Sequence, residues 1–105
     1  MKTAKVYIYE YYAGVLWEDE NGFHFQYDSA YLKQKNAESV SLTLPLKEEP
    51  YHSKVLFPFF DGLIPEGWLL DITQKTWKLD PRDRMEILLK TCRDCIGAVS
   101  IIEEK

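Results

Sequence analysis

The sequence has few cysteines, scattered glycines and no run of basic residues. Two cysteines are too few for a disulfide framework, and five glycines spread singly along the chain form no recognisable phosphate-binding loop. The 17 acidic residues outnumber the 13 basic ones, so the net charge of −4 would repel a nucleic-acid backbone. No stretch approaches the roughly 20 consecutive apolar residues that cross a bilayer. We therefore expect no bound cofactor, no direct contact with nucleic acid and no membrane partner.

The N-terminus and the composition predict one folded, cytoplasmic domain. In the first residues, MKTAKVYIYEYY, apolar and polar side chains alternate, so the segment contains no continuous apolar block of the kind found in a signal peptide. Apolar residues make up 46% of the chain, and 14% is aromatic, whereas disordered segments are poor in aromatic residues. A length of 105 residues suffices for a single domain, 1–105, with one modest core.

The first third of the chain has the residue pattern of an antiparallel sheet. Val6 and Ile8 alternate with tyrosines, which is the period of two of a β-strand. Ala13-Gly14 predicts a first turn, and Asn21-Gly22 predicts a tight hairpin because these residues tolerate positive φ angles. The next strand carries aromatic residues on one face and polar residues on the other: Phe23, Phe25 and Tyr27 against His24 and Gln26. The pattern predicts a three-stranded meander.

Residues 28–50 predict a short helix, an extended segment and a loop. The side chain of Asp28 or Ser29 can cap a helix that runs through Leu32. The segment Val40–Leu46 alternates strictly, and Pro45 restricts it to an edge strand or an extended arm because proline cannot donate to a ladder. The charged residues that follow, 47–50, are typical of a loop.

The second half is predicted to be mostly helical. Pro58 limits a first helix to a turn or two, and Gly62 ends it. Pro65 can begin the second helix, and Asp80-Pro81-Arg82-Asp83 is a start signal for the third. The third helix has an apolar stripe at helical spacing, and a final strand follows it: Met85, Leu88, Leu89 and Cys92, then Ala98 to Ile102. The predicted fold is α+β, a small and largely antiparallel sheet with helices packed on one side.

No constellation of catalytic residues is recognisable, so we do not expect an enzyme. Cys92 and Cys95 have the spacing of a redox pair, but they lie at the end of a helix, where the dipole disfavours a thiolate. His24 is expected on the solvated face of the sheet and His52 in a loop, both far along the chain from the cysteines. Neither histidine has an orienting carboxylate at a recognisable spacing. We interpret the cysteines as packing residues, and we expect neither a catalytic nor a metal role for the histidines.

Trp68 is the side chain that points to a binding function. It lies at the margin of the apolar arc of the second helix and follows the corner Pro65-Glu66-Gly67. An exposed tryptophan on a rigid frame is typical of an interaction hot spot. A core position, with the ring folded back on Leu63 or Ile72, fits the same pattern, so both interpretations stay open at this point.

Four segments taken together resemble a known family. The segments are Gly14 to Asp28, Ser41 to Leu46, Phe59 to Gly67, and Asp94 to Val99. In order and spacing, and over nearly the whole chain, they resemble the N-terminal subdomain of HipA-type serine/threonine kinases, the toxins of certain bacterial toxin–antitoxin systems.

The resemblance implies a binding protein. HipA-type toxins continue for several hundred residues that carry the nucleotide site, whereas this sequence ends at Lys105. It is similar to HipS, the small antitoxin of three-gene systems, whose kinase HipT lacks this subdomain and whose third member HipB binds DNA. The resemblance thus implies a non-catalytic antitoxin that binds and inhibits a HipT-like kinase, with a HipB-like protein in the same complex. Pro65, Glu66, Gly67 and Trp68 are the expected contact residues.

Two other functions remain open at the level of the sequence. The chain can be the N-terminal fragment of a full-length HipA-type kinase, with a structural and dimer-contact role. It can also be a cytoplasmic thiol protein that uses Cys92 and Cys95.

Overall fold

Among the residues that the structure describes, five antiparallel strands form one sheet in the order β4-β3-β2-β1-β5. The computed structural model describes residues 2–64, 83–91 and 98–104. The strands are β1 (Lys2–Ile8), β2 (Tyr11–Asp19), β3 (Gly22–Tyr27), β4 (Tyr51–Ser53) and β5 (Val99–Glu104). The predicted meander is confirmed as β1, β2 and β3, and the predicted C-terminal strand returns to pair with β1.

The two hairpins of the meander are closed by different turns. Asn21-Gly22 closes the second hairpin as predicted, with Gly22 at φ +123°. The turn predicted at Ala13-Gly14 is wrong, because the chain reverses earlier, around Tyr9, whose φ is +56°. Gly14 instead lies within β2, where a Cβ atom would come within 2.4 Å of the carbonyl oxygen of Gln26. The glycine therefore permits β2 and β3 to approach closely.

Three short helices are described: α1 (Ser29–Leu32), α2 (Pro58–Asp61) and α3 (Arg84–Thr91). Asp28 caps α1 as predicted, since its carboxylate accepts a hydrogen bond from the backbone N–H of Tyr31 at 3.2 Å. Pro58 occupies the first turn of α2 and Gly62 is its C-cap. Within the described residues, no helix is both long and apolar enough to cross a membrane.

The core lies between one face of the sheet and the helices. In β1 the alternate residues Ala4, Val6 and Ile8 are buried, while the residues between them are only partly buried. Helix α3 completes this core with its predicted apolar stripe, of which Met85, Leu88 and Leu89 are buried. Cys92, at the end of the predicted stripe, lies outside the described residues. The observed fold is α+β.

Two segments differ from their predicted structure. Residues 40–46 form no strand: Ser41 and Leu44 make an isolated bridge around a tight turn, with Leu42 exposed at its tip. The hydroxyl of Tyr27 fixes this turn, because it accepts from the N–H of Val40 at 2.9 Å and donates to the carbonyl of Leu44. The final strand, predicted to end at Ile102, instead continues through Glu103 and Glu104 opposite β1.

Candidate functional site

The predicted contact residues Pro65, Glu66, Gly67 and Trp68 lie outside the described residues, as do Cys92 and Cys95. The structure does describe the chain that leads into this segment. In α2 the Phe60 ring is fully buried and packs 5.4 Å from the ring of Phe25 in the sheet. Ile64, the last described residue before the segment, is also part of the core. The segment therefore starts from a point that is fixed on the sheet.

The chain that follows the segment is fixed on the same sheet. Asp83 accepts a hydrogen bond from the backbone N–H of Glu86 at 3.2 Å, which satisfies one free amide at the start of α3. The same carboxylate pairs with Nζ of Lys2 at 2.5 Å and so joins α3 to β1. A second ion pair, from Nε of Arg84 to Oδ1 of Asp61 at 2.7 Å, joins α3 to α2. Both described flanks of residues 65–82 are thus held to one rigid core.

His24 and His52 lie together, which the sequence analysis did not predict. They face each other on β3 and β4, with their Nδ1 atoms 2.6 Å apart. His24 is 7% exposed, and its ring is stacked on Trp17 at a centroid distance of 5.1 Å. The predictions that His24 faces solvent and that His52 lies in a loop are therefore wrong. The outer face of the sheet buries a polar side chain here because Trp17 and His52 cover it from the two neighbouring strands.

Asp19 supplies the orienting carboxylate that the sequence spacing did not reveal. Its Oδ1 lies 2.8 Å from Nε2 of His24 and also accepts from the backbone N–H of Asn21 at 2.8 Å. The hydrogen bond with His24, followed by the one with Asn21, holds the pKa of the Asp19 carboxyl below its usual range. The carboxylate is therefore an anion at neutral pH.

The arrangement of these three side chains suits a proton better than a metal ion. Asp19 and His52 lie on opposite nitrogens of the His24 ring, so the three groups do not converge on one point. Consistent with this, no group of three or more metal-ligating side chains occurs within 2–64, 83–91 and 98–104. The expected absence of a catalytic or metal role for the histidines stays a prediction.

Several exposed apolar side chains lie around the first hairpin turn and at the tip of the 41–44 turn. Tyr9 is 72% exposed, Tyr11 50% and Tyr12 38%, all around the first hairpin turn. Leu42 is 96% exposed at the tip of the 41–44 turn. The closely spaced tyrosines of the sequence could have indicated the exposed group at the first hairpin turn. The exposure of Leu42 had no such signal, because the strict alternation around it predicted a strand.

Comparison with known proteins identifies the class to which this fold belongs. A solved structure described as the N-terminal domain of HipA toxin superimposes with a TM-score of 0.76 and 33% identity, covering 100% of this chain and 94% of that one. A model of the HipA N-terminal domain matches residues 4–102. The chain therefore belongs to the HipA N-terminal domain family, and the resemblance seen in the sequence is confirmed.

Two relatives show this domain in chains of different length. An uncharacterized protein of Haemophilus influenzae is 38% identical over 105 residues, which is 100% of this chain and 95% of that protein. Y4mE of Sinorhizobium fredii, named as a candidate kinase, is 29% identical over 92 residues. That match covers 87% of this chain but only 22% of Y4mE. The same fold thus occurs both as nearly a whole small protein and as a minor part of a much longer one.

Proposed function

We propose that this protein is an antitoxin that binds and inhibits a HipA-type serine/threonine kinase toxin and catalyses no reaction itself. The observation that carries the proposal is the pair of relatives: the domain makes up 95% of one short protein and 22% of a longer candidate kinase. A domain that packs against a kinase within one chain keeps its contact surface when it is made separately. Binding between chains then depends on concentration, because association costs translational and rotational freedom. Such dependence suits an antitoxin, whose amount sets how much toxin is free.

The proposed contact is Pro65-Glu66-Gly67-Trp68. Both flanks of this segment are fixed on the core, at Ile64 by burial and at Asp83 by its ion pair with Lys2. A tryptophan held on a rigid frame loses little conformational entropy on binding and can bury a large apolar area in a partner. Such a side chain contributes about 2 kcal/mol or more to binding.

We propose that the complex also contains a DNA-binding protein. A HipB-like DNA-binding protein belongs to the same complex, while this chain is not expected to contact DNA because its net charge is −4. The complex is proposed to be cytoplasmic.

The test is to measure binding and growth rescue with the cognate kinase. Wild-type protein is titrated into the purified kinase by calorimetry and co-expressed with it in cells. Trp68→Ala is expected to weaken binding by about 30-fold, which corresponds to about 2 kcal/mol, and to reduce rescue. Tyr11→Ala is the matched control, because it removes an aromatic ring that is 50% exposed at the first hairpin and remote in sequence from residue 65. Tyr11→Ala should bind and rescue like the wild type.

The outcomes separate the function from the contact. Absence of binding between the wild-type protein and the kinase would contradict the antitoxin role. Normal binding by Trp68→Ala at an unchanged melting temperature would remove this side chain from the interface and leave the antitoxin role standing. A large fall in the melting temperature of Trp68→Ala would instead place the ring in the core.

The match to Y4mE supports a second candidate function. In this alternative the chain is the N-terminal structural and dimer-contact subdomain of a full-length HipA-type kinase. Sequencing of the gene decides between the two, because a stop codon after Lys105 excludes the alternative and an open reading frame into a kinase domain establishes it.

A further inference from the structure

The contact between His24 and His52 requires a proton between the two rings. Their Nδ1 atoms are 2.6 Å apart, which is a hydrogen-bond distance. A neutral imidazole has one donor and one acceptor nitrogen, and an imidazolium has two donors. Two bare nitrogens or two N–H groups at this distance would repel each other. One of the two Nδ1 atoms therefore donates and the other accepts.

Asp19 determines which protonation states satisfy this requirement. Its carboxylate lies 2.8 Å from Nε2 of His24, so that nitrogen carries a hydrogen. A neutral His24 then accepts at Nδ1 from His52. After one proton is added, His24 is an imidazolium that donates from both nitrogens, to Asp19 and to a neutral His52. The contact survives in both states.

Addition of a second proton breaks the contact. Both Nδ1 atoms then carry hydrogens, and two positive rings face each other. The charged groups that face the pair are the Asp19 carboxylate on β2 and Lys54, which follows β4 and lines the same surface cavity. One carboxylate can balance only one of the imidazolium charges, and Lys54 adds a further positive charge. The doubly charged pair is therefore unstable in this geometry.

The strand that gives way is β4. His24 is buried on the inner strand β3, whereas His52 is exposed on β4, a three-residue edge strand. We propose that the His24–His52 pair is a proton-operated latch, which holds β4 on the sheet at neutral pH and releases it when both rings are protonated. Because only residues 54–57 separate β4 from α2, release also loosens the chain that leads to α2. Release is therefore expected on acidification, when the second proton is added to the pair.

The test is amide hydrogen exchange of the full chain, measured by NMR at about pH 7.5 and about pH 5. Protection of the amides of Tyr51–Ser53 is compared with that of β1, after correction for the intrinsic pH dependence of exchange. Protection of the β4 amides should fall about tenfold or more relative to β1 on acidification. Two unit charges about 4 Å apart near a protein surface repel each other strongly enough to lower the ratio of paired to released β4 by more than about tenfold.

Two substitutions at residue 52 separate the latch from a general effect of acid. The amide of His52→Asn reaches the position of Nδ1 and can donate or accept there, so protection of β4 should become independent of pH. The amide of His52→Gln reaches the position of Nε2 and does not replace the contact. His52→Gln should therefore show low protection of β4 at both pH values.

The imidazole nitrogen resonances provide an independent readout. At about pH 7.5, one Nδ1 of the pair should carry a hydrogen, and the other Nδ1 should accept the hydrogen bond from it. Two unprotonated Nδ1 atoms at that pH would overturn the proposal. It would also be overturned if β4 of the wild type kept its protection relative to β1 at about pH 5, or if His52→Asn lost as much protection as the wild type.

Discussion

Replacement of Tyr27 by Phe removes a single hydroxyl that holds the 40–44 turn against the sheet. Tyr27 is 3% exposed, and its hydroxyl accepts from the N–H of Val40 at 2.9 Å and donates to the carbonyl of Leu44. Val40 and Leu44 are themselves buried, so water does not readily replace the lost partner. The aromatic packing of the ring is unchanged by this substitution. The experiment therefore measures the two hydrogen bonds.

The expected cost follows from the two backbone groups that lose their partner. A buried donor or acceptor that is left unsatisfied costs about 1 to 3 kcal/mol. Because the turn can relax partly toward solvent, we expect Tyr27→Phe to lower the free energy of unfolding by about 2 to 3 kcal/mol in total. For a domain of this size, the melting temperature should fall by about 10 °C.

The same hydroxyl makes stability depend on alkaline pH. Burial raises the pKa of Tyr27 from its ordinary value of 10.0 to about 12, against the opposing effect of the hydrogen bond from Val40. Because the folded-state pKa lies above the unfolded one, this contribution is fully present below about pH 10 and is lost as the pH rises toward 12. The Phe variant has no such group. The stability difference between wild type and variant should therefore shrink across this window, by on the order of 2 kcal/mol.

Urea denaturation followed by tryptophan fluorescence measures both effects. The control is Tyr11→Phe, which removes the hydroxyl of a side chain that is 50% exposed and should change stability by less than about 0.5 kcal/mol. A Tyr27→Phe variant within about 0.5 kcal/mol of the wild type at pH 7 would refute the assignment of two buried hydrogen bonds. A difference that stays constant from pH 9 to 12 would refute the linkage to ionisation.

Two further substitutions test the close approach of β2 to β3 and the ion pair between α3 and α2. Gly14→Ala should lower the free energy of unfolding by about 1 to 3 kcal/mol, because the new Cβ would lie 2.4 Å from the carbonyl oxygen of Gln26; an unchanged urea midpoint would contradict this. Arg84→Ala should cost less than about 1 kcal/mol, since the side chains of its pair with Asp61 are 35% and 42% exposed. A loss of more than about 2 kcal/mol on thermal melting would show that this pair matters more than its exposure indicates.

Periodicity along the chain predicted the elements that build the core. Alternation of Val6 and Ile8 placed β1, and the spacing of Met85, Leu88 and Leu89 placed the buried face of α3. These signals succeed because one buried face imposes a repeat on the residues that cover it. Family membership, which gives the topology and the proposed function, came from four separate motifs and not from any such repeat.

Local turn signals were less reliable where tertiary contacts decide the geometry. Gly14 has the residue type of a turn, but its lack of a Cβ serves the close approach of β2 to Gln26. The alternation of Val40–Leu46 is that of a strand, yet the Tyr27 hydroxyl supplies the partners that a neighbouring strand would have given. In both cases the deciding group is more than ten residues away in the sequence, and no local pattern encodes it.

The histidine cluster shows the same limit for a candidate site. Alternation correctly places His24 on the face of β3 opposite Phe23 and Phe25, but the face of a strand does not determine its exposure. Burial of His24 depends on the register that sets Trp17 and His52 beside it on β2 and β4. Asp19 reaches the ring because the turn at Gly22 brings the end of β2 back alongside β3. The two histidines lie 28 positions apart in the sequence. Their contact therefore depends on the pairing of β3 with β4, which the composition of neither strand reveals.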